Sequence, residues 1–137
     1  MIVADTGAII ALVDADDRHH AALRSLFEAK PVPWVLPWAI LPEVDYLLAN
    51  HVGLRAQRAF FGDIASGAFD VEWGAVADLR RAQELDARYD KLKLGLVDAV
   101  VIAVAERLGA RAIATIDLKR FSAVAIRGKP LLIPRDG

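Results

Sequence analysis

The sequence predicts an α/β fold in which a mainly parallel central sheet lies between two layers of helices, a three-layer α/β/α domain. The opening run from Ile2 to Ala4 is short and apolar and ends at an aspartate and a Thr-Gly pair, which is typical of a buried strand leading into a helix. Similar runs alternate with helical patterns along the chain, as in parallel sheets. The 137 residues, 55% of them hydrophobic, fit a single domain over residues 1–137. A strand this apolar must be covered on both faces, so we place it at the centre of the sheet.

Five segments are predicted as strands and six as helices. The strands are short apolar runs bounded by turn residues, at 2–4, 34–36, 68–73, 112–116 and 130–134. The helices have apolar residues at helical spacing, at 8–13, in a segment after the polar turn 14–20 that ends near 29, and at 38–51, 54–66, 74–88 and 96–108. Pro42 must either kink the helix at 38–51 or mark its start. The last strand is bracketed by prolines, as an edge strand can be.

The composition narrows the class of protein. Cysteine is absent, so the chain has no disulfide framework and no thiolate metal site. The first residues lack the basic and apolar regions of a secretory signal, and the later apolar run 94–105 is too short to span a bilayer. We therefore expect a cytoplasmic protein without a membrane partner.

Four acids stand at positions where acids are unusual. Asp5 and Asp117 each follow a predicted buried strand, so both should lie at the carboxyl edge of a parallel sheet, where sites form in open α/β folds. Glu43 and Asp98 each share a helical stripe with apolar residues, so both are predicted to face the core. The sequence thus predicts that all four carboxylates gather in one place.

Clustered buried carboxylates cost several kcal/mol unless they are protonated or share a cation. No basic residue shares these stripes, so a hard divalent cation, Mg²⁺ or Mn²⁺, is the simplest partner. Thr6 and Thr115 flank the predicted site and could orient a carboxylate or a bound water. The alternative is that each aspartate is a helix cap and the glutamate lies at a solvated margin. Four such placements together favour a metal site.

The net charge of −1 at first argues against a nucleic-acid partner. If a cation neutralises four of the 18 acids, however, 14 remain against 17 basic residues. The surface outside the site would then be mildly basic, as a nucleic-acid partner requires.

The sequence also resembles the PIN-domain ribonucleases and, within them, the VapC toxins of bacterial toxin–antitoxin pairs, most closely the actinobacterial members. The resemblance covers nearly the whole chain, and the segments that carry it are Val3–Ala8, Leu41–Val44, Leu96–Ala99 and Ala114–Phe121. The resemblance implies a PIN-like fold and an acidic quartet that binds Mg²⁺ or Mn²⁺, formed by Asp5, Glu43, Asp98 and Asp117.

The resemblance further implies an endoribonuclease that acts on tRNA, ribosomal RNA or another selected RNA and is restrained by a cognate antitoxin. Asp90 matches a recurring family position and is assigned a supporting role. Gly7 departs from the family, which commonly has serine there. The departure removes one hydroxyl from the site and leaves Thr6 and Thr115.

The acids themselves predict metal-assisted hydrolysis of a phosphodiester. A cation held by Asp5, Asp98 and Asp117 would lower the pKa of a bound water, which Glu43 would position or deprotonate. Because water attacks rather than the RNA 2′-hydroxyl, the products should carry a 5′-phosphate and a 3′-hydroxyl. Basic residues predicted to hold RNA near the site are Lys119, Arg120, Lys91 and Lys93. Ordinary surface charge explains each of them singly as well.

Two other functions remain open at this point. Metal-dependent phosphatases and receiver domains also gather aspartates at a parallel sheet edge, although Asp5-Thr6-Gly7 lacks the second aspartate of haloacid-dehalogenase-type phosphatases. A catalytically inactive module that binds only metal or a partner is the non-enzymatic alternative.

The helices between residues 38 and 65 have more apolar residues than a small core requires. We expect part of this surface to bind an antitoxin or to form a homodimer, with core packing as the alternative. The residues concerned include Tyr46, Leu47, Leu48, Phe60 and Phe61.

Overall fold

The computed structural model describes residues 1–29 and 32–137, and these form a five-stranded sheet in which every pair of neighbouring strands is parallel. The strands are β1 (Ile2–Ala4), β2 (Trp34–Pro37), β3 (Asp70–Glu72), β4 (Ala112–Ala114) and β5 (Leu131–Ile133). Their order across the sheet is β3-β2-β1-β4-β5. The central position predicted for the first strand is therefore confirmed.

β1 owes its apolar sequence to neighbours on both sides. Ile2 pairs with Trp34 of β2 and with Ala112 of β4, and Val3 is fully buried. From β1 the chain runs outward to β3 and then returns to β4 on the other side of β1. With right-handed crossovers, this reversal places the connecting helices on opposite faces of the sheet. The three-layer α/β/α architecture is thus as predicted.

The described residues include seven α-helices. They are α1 (Thr6–Val13), α2 (His20–Ala29), α3 (Leu41–Leu47), α4 (Leu54–Ser66), α5 (Val76–Arg88), α6 (Gly95–Leu108) and α7 (Leu118–Ala123). Short 3₁₀ turns span Trp38–Ile40 and Asp90–Leu92, and a π turn spans Leu48–Val52. α6 is the most buried helix, since every residue from 99 to 105 lies in the core. Among these helices none has both the length and the apolarity needed to cross a bilayer.

The structure differs from the sequence-based assignment at two places. The helix predicted at 38–51 is divided into a 3₁₀ turn, α3 and a π turn, and Pro42 lies in the first turn of α3, so it marks a helix start rather than a kink. The strand predicted at 112–116 ends at Ala114, and the chain then turns into α7. The sequence does not predict α7, because six residues are too few to show a helical period.

A buried acid that the sequence does not single out joins α5 to α6. Asp78 is only 2% exposed, and its carboxylate accepts hydrogen bonds from Arg107 Nε at 2.8 Å and Nη2 at 3.0 Å. It also accepts from the backbone N–H of Ala75 at 2.9 Å, and Arg107 donates to Glu72 at 2.7 Å. The charge of Asp78 is thus balanced within the fold, and its role is structural.

Replacing Asp78 with alanine is expected to lower the free energy of unfolding by about 2 to 3 kcal/mol, because Arg107 and the Ala75 N–H both lose their acceptor. Asp63→Ala, on an exposed position of α4, is the matched control and should change stability by no more than about 0.5 kcal/mol. Urea denaturation followed by circular dichroism measures both. An Asp78 variant as stable as the control would show that this ion pair does not hold α5 against α6.

Candidate functional site

The acids that follow β1 and β4 lie at the point where the strand order reverses. β1 and β4 are parallel neighbours, so their carboxyl ends share one edge of the sheet. Asp5 directly follows β1, and Asp117 comes three residues after the end of β4. At such a reversal the connecting helices diverge to opposite faces, which opens a crevice outside the strand ends. The fold therefore brings the first and last of the predicted acids into the same crevice.

Both aspartates are helix caps, as the alternative explanation requires. Oδ1 of Asp5 accepts a hydrogen bond from the backbone N–H of Ala8 at 3.0 Å, and Oδ1 of Asp117 accepts one from the backbone N–H of Arg120 at 3.1 Å. Capping uses only one oxygen of each carboxylate. It therefore explains where these acids sit without explaining the contacts of their second oxygens.

Thr115 links the two aspartates through side-chain contacts. Its hydroxyl donates to Oδ2 of Asp5 at 2.5 Å, and its Oγ1 accepts from the backbone N–H of Asp117 at 3.1 Å. Thr115 is fully buried, so both contacts are shielded from water. The positions of Asp5 and Asp117 are consequently fixed relative to each other, as predicted for a residue that orients a carboxylate.

Asp98 and Glu43 lie at the starts of two helices beside this pair. Asp98 is in the first turn of α6 and is partly buried, whereas Glu43 is in the first turn of α3 and is exposed. The prediction that Glu43 faces the core is wrong. The prediction assumed that Ile40 and Glu43 lie on one continuous α-helix. Ile40 instead belongs to the preceding 3₁₀ turn, which has three residues per turn, so Glu43 does not face the same way as Ile40.

Asp5, Asp98 and Asp117 lie within electrostatic range of one another, and Glu43 lies within electrostatic range of Asp98. Burial raises the pKa of Asp5 to about 7, and the charges of Asp98 and Asp117 add to the effect. Burial likewise raises the pKa of Asp98 to about 6, and the charges of Asp117 and Glu43 contribute as well. The structure thus brings all four predicted acids together, with Asp5 deepest and Glu43 at the rim.

Asp5 differs from Asp78 in forming no ion pair with another described residue. It is 4% exposed, and in the part of the chain that the structure describes no Lys, Arg or His forms an ion pair with it. A buried carboxylate in this situation must hold its proton or bind a cation from outside the chain. Asp5 is therefore the group in the cluster with the strongest physical need for a bound ion.

Arg120 forms an ion pair with one of the four acids. Its Nη1 donates to Oδ2 of Asp117 at 3.0 Å, and its Nε donates to the backbone carbonyl of Leu92 at 3.1 Å. The sequence assigned Arg120 to RNA binding and gave no hint of the contact with Leu92. The sequence nevertheless contained a signal for the ion pair. A residue that caps a helix is a neighbour of the residue three positions later, so Asp117 and Arg120 are spaced to form a pair.

The remaining predicted residues lie around the crevice in different settings. Asp90, Lys91 and Lys93 are exposed on the turn that precedes α6, and Lys119 is exposed on α7. Asp90 is not among the charges that raise the pKa of Asp5 or Asp98, so the structure does not bring it into the acidic cluster. The three lysines keep their sequence-based assignment as predicted RNA contacts.

The donor atoms of the site fit a hard divalent cation in kind. Asp5, Asp98 and Asp117 offer carboxylate oxygens, and the buried hydroxyl of Thr6 has no hydrogen-bond partner among the described residues. Within residues 1–29 and 32–137, however, no group of three or more His, Asp or Glu side chains is arranged to hold an ion as it stands. The carboxylates of Asp5 and Asp117 are directed at their hydrogen-bond partners within the fold.

The glycine at position 7 has a local packing reason. A Cβ on Gly7 would lie 3.1 Å from Cγ1 and 3.3 Å from Cδ1 of Ile116, closer than ordinary van der Waals contact. A serine there would require Ile116 to move, and Ile116 sits between Thr115 and Asp117. The small residue is thus matched to the isoleucine that precedes the last acid of the site.

Comparison with known proteins agrees with this fold. The family model of the PIN domain matches residues 2–127 of the chain. The chain belongs to the PIN-domain family. It is 30% identical over 123 residues to ribonuclease VapC26 of Mycobacterium tuberculosis, a match that covers 90% of this chain and 91% of VapC26.

Solved structures extend the comparison to three dimensions. The crystal structure of Mycobacterium tuberculosis VapC20, described as a sarcin-ricin loop cleaving toxin, matches with a TM-score of 0.82 at 28% identity and covers 93% of this chain and 98% of VapC20. FitAcB from Neisseria gonorrhoeae matches with a TM-score of 0.64 at 13% identity over 96% of both chains, which shows a shared fold. The predicted resemblance to PIN-domain VapC proteins is confirmed.

The raised pKa of Asp5 predicts how stability depends on pH in the presence of a chelator. Between its unfolded pKa of 3.8 and about 7, the folded protein holds a proton that the unfolded chain has lost. The free energy of unfolding should therefore fall as pH rises through this range. Asp5 alone can account for at most on the order of 4 kcal/mol of this fall.

Asp5→Asn isolates this contribution, because the amide does not ionise. The variant should be more stable than the wild type at pH 8 and should lose that advantage toward pH 4. Asp16→Asn, at an exposed position, should follow the wild type throughout. Urea denaturation at several pH values, with EDTA present, gives the three profiles. Parallel profiles for Asp5→Asn and the wild type would mean that burial does not raise the pKa of Asp5 in the folded protein.

Proposed function

We propose that this chain is a Mg²⁺- or Mn²⁺-dependent endoribonuclease toxin. The observation that carries the proposal is the buried carboxylate of Asp5, which forms no ion pair within residues 1–29 and 32–137, is joined to Asp117 through Thr115, and is electrostatically coupled to Asp98. The similarity to a ribonuclease, VapC26, and to an RNA-cleaving toxin, VapC20, supports RNA as the substrate. We propose that the substrate is a structured RNA, either tRNA or ribosomal RNA, as the resemblance of the sequence to the VapC toxins implies.

In the proposed mechanism, Asp5, Asp98 and Asp117 hold the cation, which when bound polarises the phosphate and makes water a better nucleophile. Thr115 keeps Asp5 in place by its hydroxyl, and the unpartnered hydroxyl of Thr6 can donate to a phosphate oxygen or a water. Glu43, which is exposed in the first turn of α3, would take the proton from the attacking water.

The bond that breaks is the one between phosphorus and the 3′ oxygen. Water supplies the new oxygen, so the fragments should carry a 5′-phosphate and a 3′-hydroxyl. The exposed lysines 91, 93 and 119 lie on elements that flank the crevice and would hold the phosphates of the RNA on either side.

Asp5→Asn is expected to reduce RNA cleavage by about two orders of magnitude or more, because even residues that only support a metal ligand contribute tenfold to a hundredfold. Purified wild type, Asp5→Asn and the control Asp16→Asn are incubated with total RNA and Mg²⁺, Mn²⁺ or EDTA, and the fragment ends are analysed. Wild type and control should give the same discrete fragments, which EDTA abolishes. A 2′,3′-cyclic phosphate, or cleavage by Asp5→Asn at the wild-type rate, would refute the mechanism.

The same preparations separate the alternatives. A phosphatase would release phosphate from a phosphomonoester in an Asp5-dependent manner and leave RNA intact. A catalytically inactive module would do neither, although it would still bind its partner after the Asp5 substitution.

We further propose that the surface of α3 and α4 binds the antitoxin or a second copy of the chain. Of the apolar residues that the sequence suggested for this surface, Leu48 and Phe60 belong to the core, whereas Tyr46 and Phe61 are 64% and 63% exposed. Gln57 Nε2 donates to Oδ1 of Asp45 at 2.6 Å, which fixes α4 against α3. Exposed aromatic side chains on a rigid pair of helices are typical of a protein interface.

The double variant Tyr46→Ser/Phe61→Ser is expected to shift the mass in solution toward that of a monomer and to weaken capture of a co-expressed antitoxin. Trp73→Ser, which removes an equally exposed aromatic residue outside α3 and α4, is the control and should behave as the wild type. Size-exclusion chromatography with light scattering measures the mass with and without the antitoxin. Unchanged masses for the double variant would place the interface elsewhere.

A further inference from the structure

Arg120 connects two walls of the crevice through three hydrogen bonds. Its backbone N–H and its Nη1 each donate to one oxygen of Asp117, at 3.1 and 3.0 Å. Its Nε donates to the carbonyl of Leu92, which lies in the 3₁₀ turn just before α6. One side chain thus ties the last acid of the cluster to the segment from which α6, with Asp98, begins.

The guanidinium also brings a positive charge into the acidic cluster. Among the described residues, only one of the four acids forms an ion pair, and this pair joins Asp117 to Arg120. The charge of Arg120 also acts on Asp98, where it opposes the pKa increase that burial and Asp117 cause. This resembles the balance between Arg107 and Asp78 in one respect only. Asp78 is 2% exposed, whereas the side chains of Arg120 and Asp117 are 40% and 31% exposed, so their pair can separate at low cost.

From these contacts we propose that Arg120 is a positioning residue that competes with the divalent cation for Asp117. The inference rests on the proposed metal-dependent function. Arg120 donates to both oxygens of Asp117, and its guanidinium offsets the charge of this carboxylate, so a cation that binds Asp117 must compete with the guanidinium for it. When the cation displaces Nη1, Arg120 still has its contact with Leu92. The residue thereby lowers the affinity for the cation and couples cation binding to the mouth of the site.

Two other roles for Arg120 predict different results. If Arg120 only shapes the site, its removal should disorder Asp117 and weaken cation binding. If it only contacts RNA, its removal should leave cation binding unchanged when no RNA is present. If Arg120 competes with the cation, its removal should strengthen cation binding. The first role predicts weaker binding, and the second predicts no change.

The test is Mn²⁺ binding to the full chain without RNA, measured by calorimetry after dialysis against EDTA and then metal-free buffer. Arg120→Gln should bind Mn²⁺ about threefold to fivefold more tightly than the wild type, as expected when an exposed ion pair that competes with the cation is lost. Lys119→Gln is the matched control, since it removes the same charge one residue away, and should change the affinity by less than about twofold. Equal or weaker binding by Arg120→Gln would overturn the inference.

A second measurement keeps the inference testable if Arg120→Gln fails to fold. In ¹⁵N-labelled wild type, the Arg120 guanidinium signals should shift on addition of Mg²⁺ as the bond to Asp117 breaks, with Arg120→Lys providing the assignment. Signals that stay unchanged at saturating Mg²⁺ would overturn the competition.

Asp5→Asn separates this inference from the function on which it rests. If the wild type binds Mn²⁺, Asp5→Asn does not, and Arg120→Gln equals the wild type, then only the competition is wrong. If the wild type and Asp5→Asn bind Mn²⁺ equally poorly, the metal-dependent function fails and the competition fails with it.

Discussion

The parallel pairing of β1 with β4 is the interaction on which the rest of the site depends. It brings the carboxyl ends of two strands from opposite ends of the chain to one edge of the sheet, so that the Thr115 hydroxyl reaches Asp5. The pairing also creates the reversal of strand order that opens the crevice. Without it, Asp5 and Asp117 would be two unrelated helix caps, as their individual hydrogen bonds to α1 and α7 show.

Two buried aspartates in this molecule illustrate how the surroundings of an acid decide its use. Asp78 receives two hydrogen bonds from Arg107 and joins two helices, so the fold itself satisfies its charge. Asp5 receives hydrogen bonds from Thr115 and Ala8, and burial raises its pKa to about 7. A buried acid whose pKa is raised in this way lowers the stability of the folded protein. Such an arrangement is typical of sites where chemistry rather than packing determines the residue.

The sequence was sufficient for the sheet, the position of β1 and the placement of Asp5 and Asp117 at one edge of the sheet, because short apolar strands and strand-end aspartates are local patterns. It was insufficient where the outcome depends on contacts between distant segments. The exposure of Glu43 follows from a change of helix type at Ile40, and the contact of Arg120 with Leu92 depends on how α7 lies against the turn before α6. Asp78 was missed for the same reason, since its partner Arg107 is 29 residues away.

The hydrogen bond from Thr115 to Asp5 joins residues that are 110 positions apart, and this distance has a consequence for synthesis on the ribosome. β1 emerges well before β4, Thr115 and Asp117. Until these residues have been synthesised, β1 has no neighbour on one side, and the carboxylate of Asp5 has neither its hydroxyl donor nor its companion acid. An activity built on this site therefore cannot arise before Asp117 has left the ribosome, so a translation product interrupted upstream of β4 lacks the site.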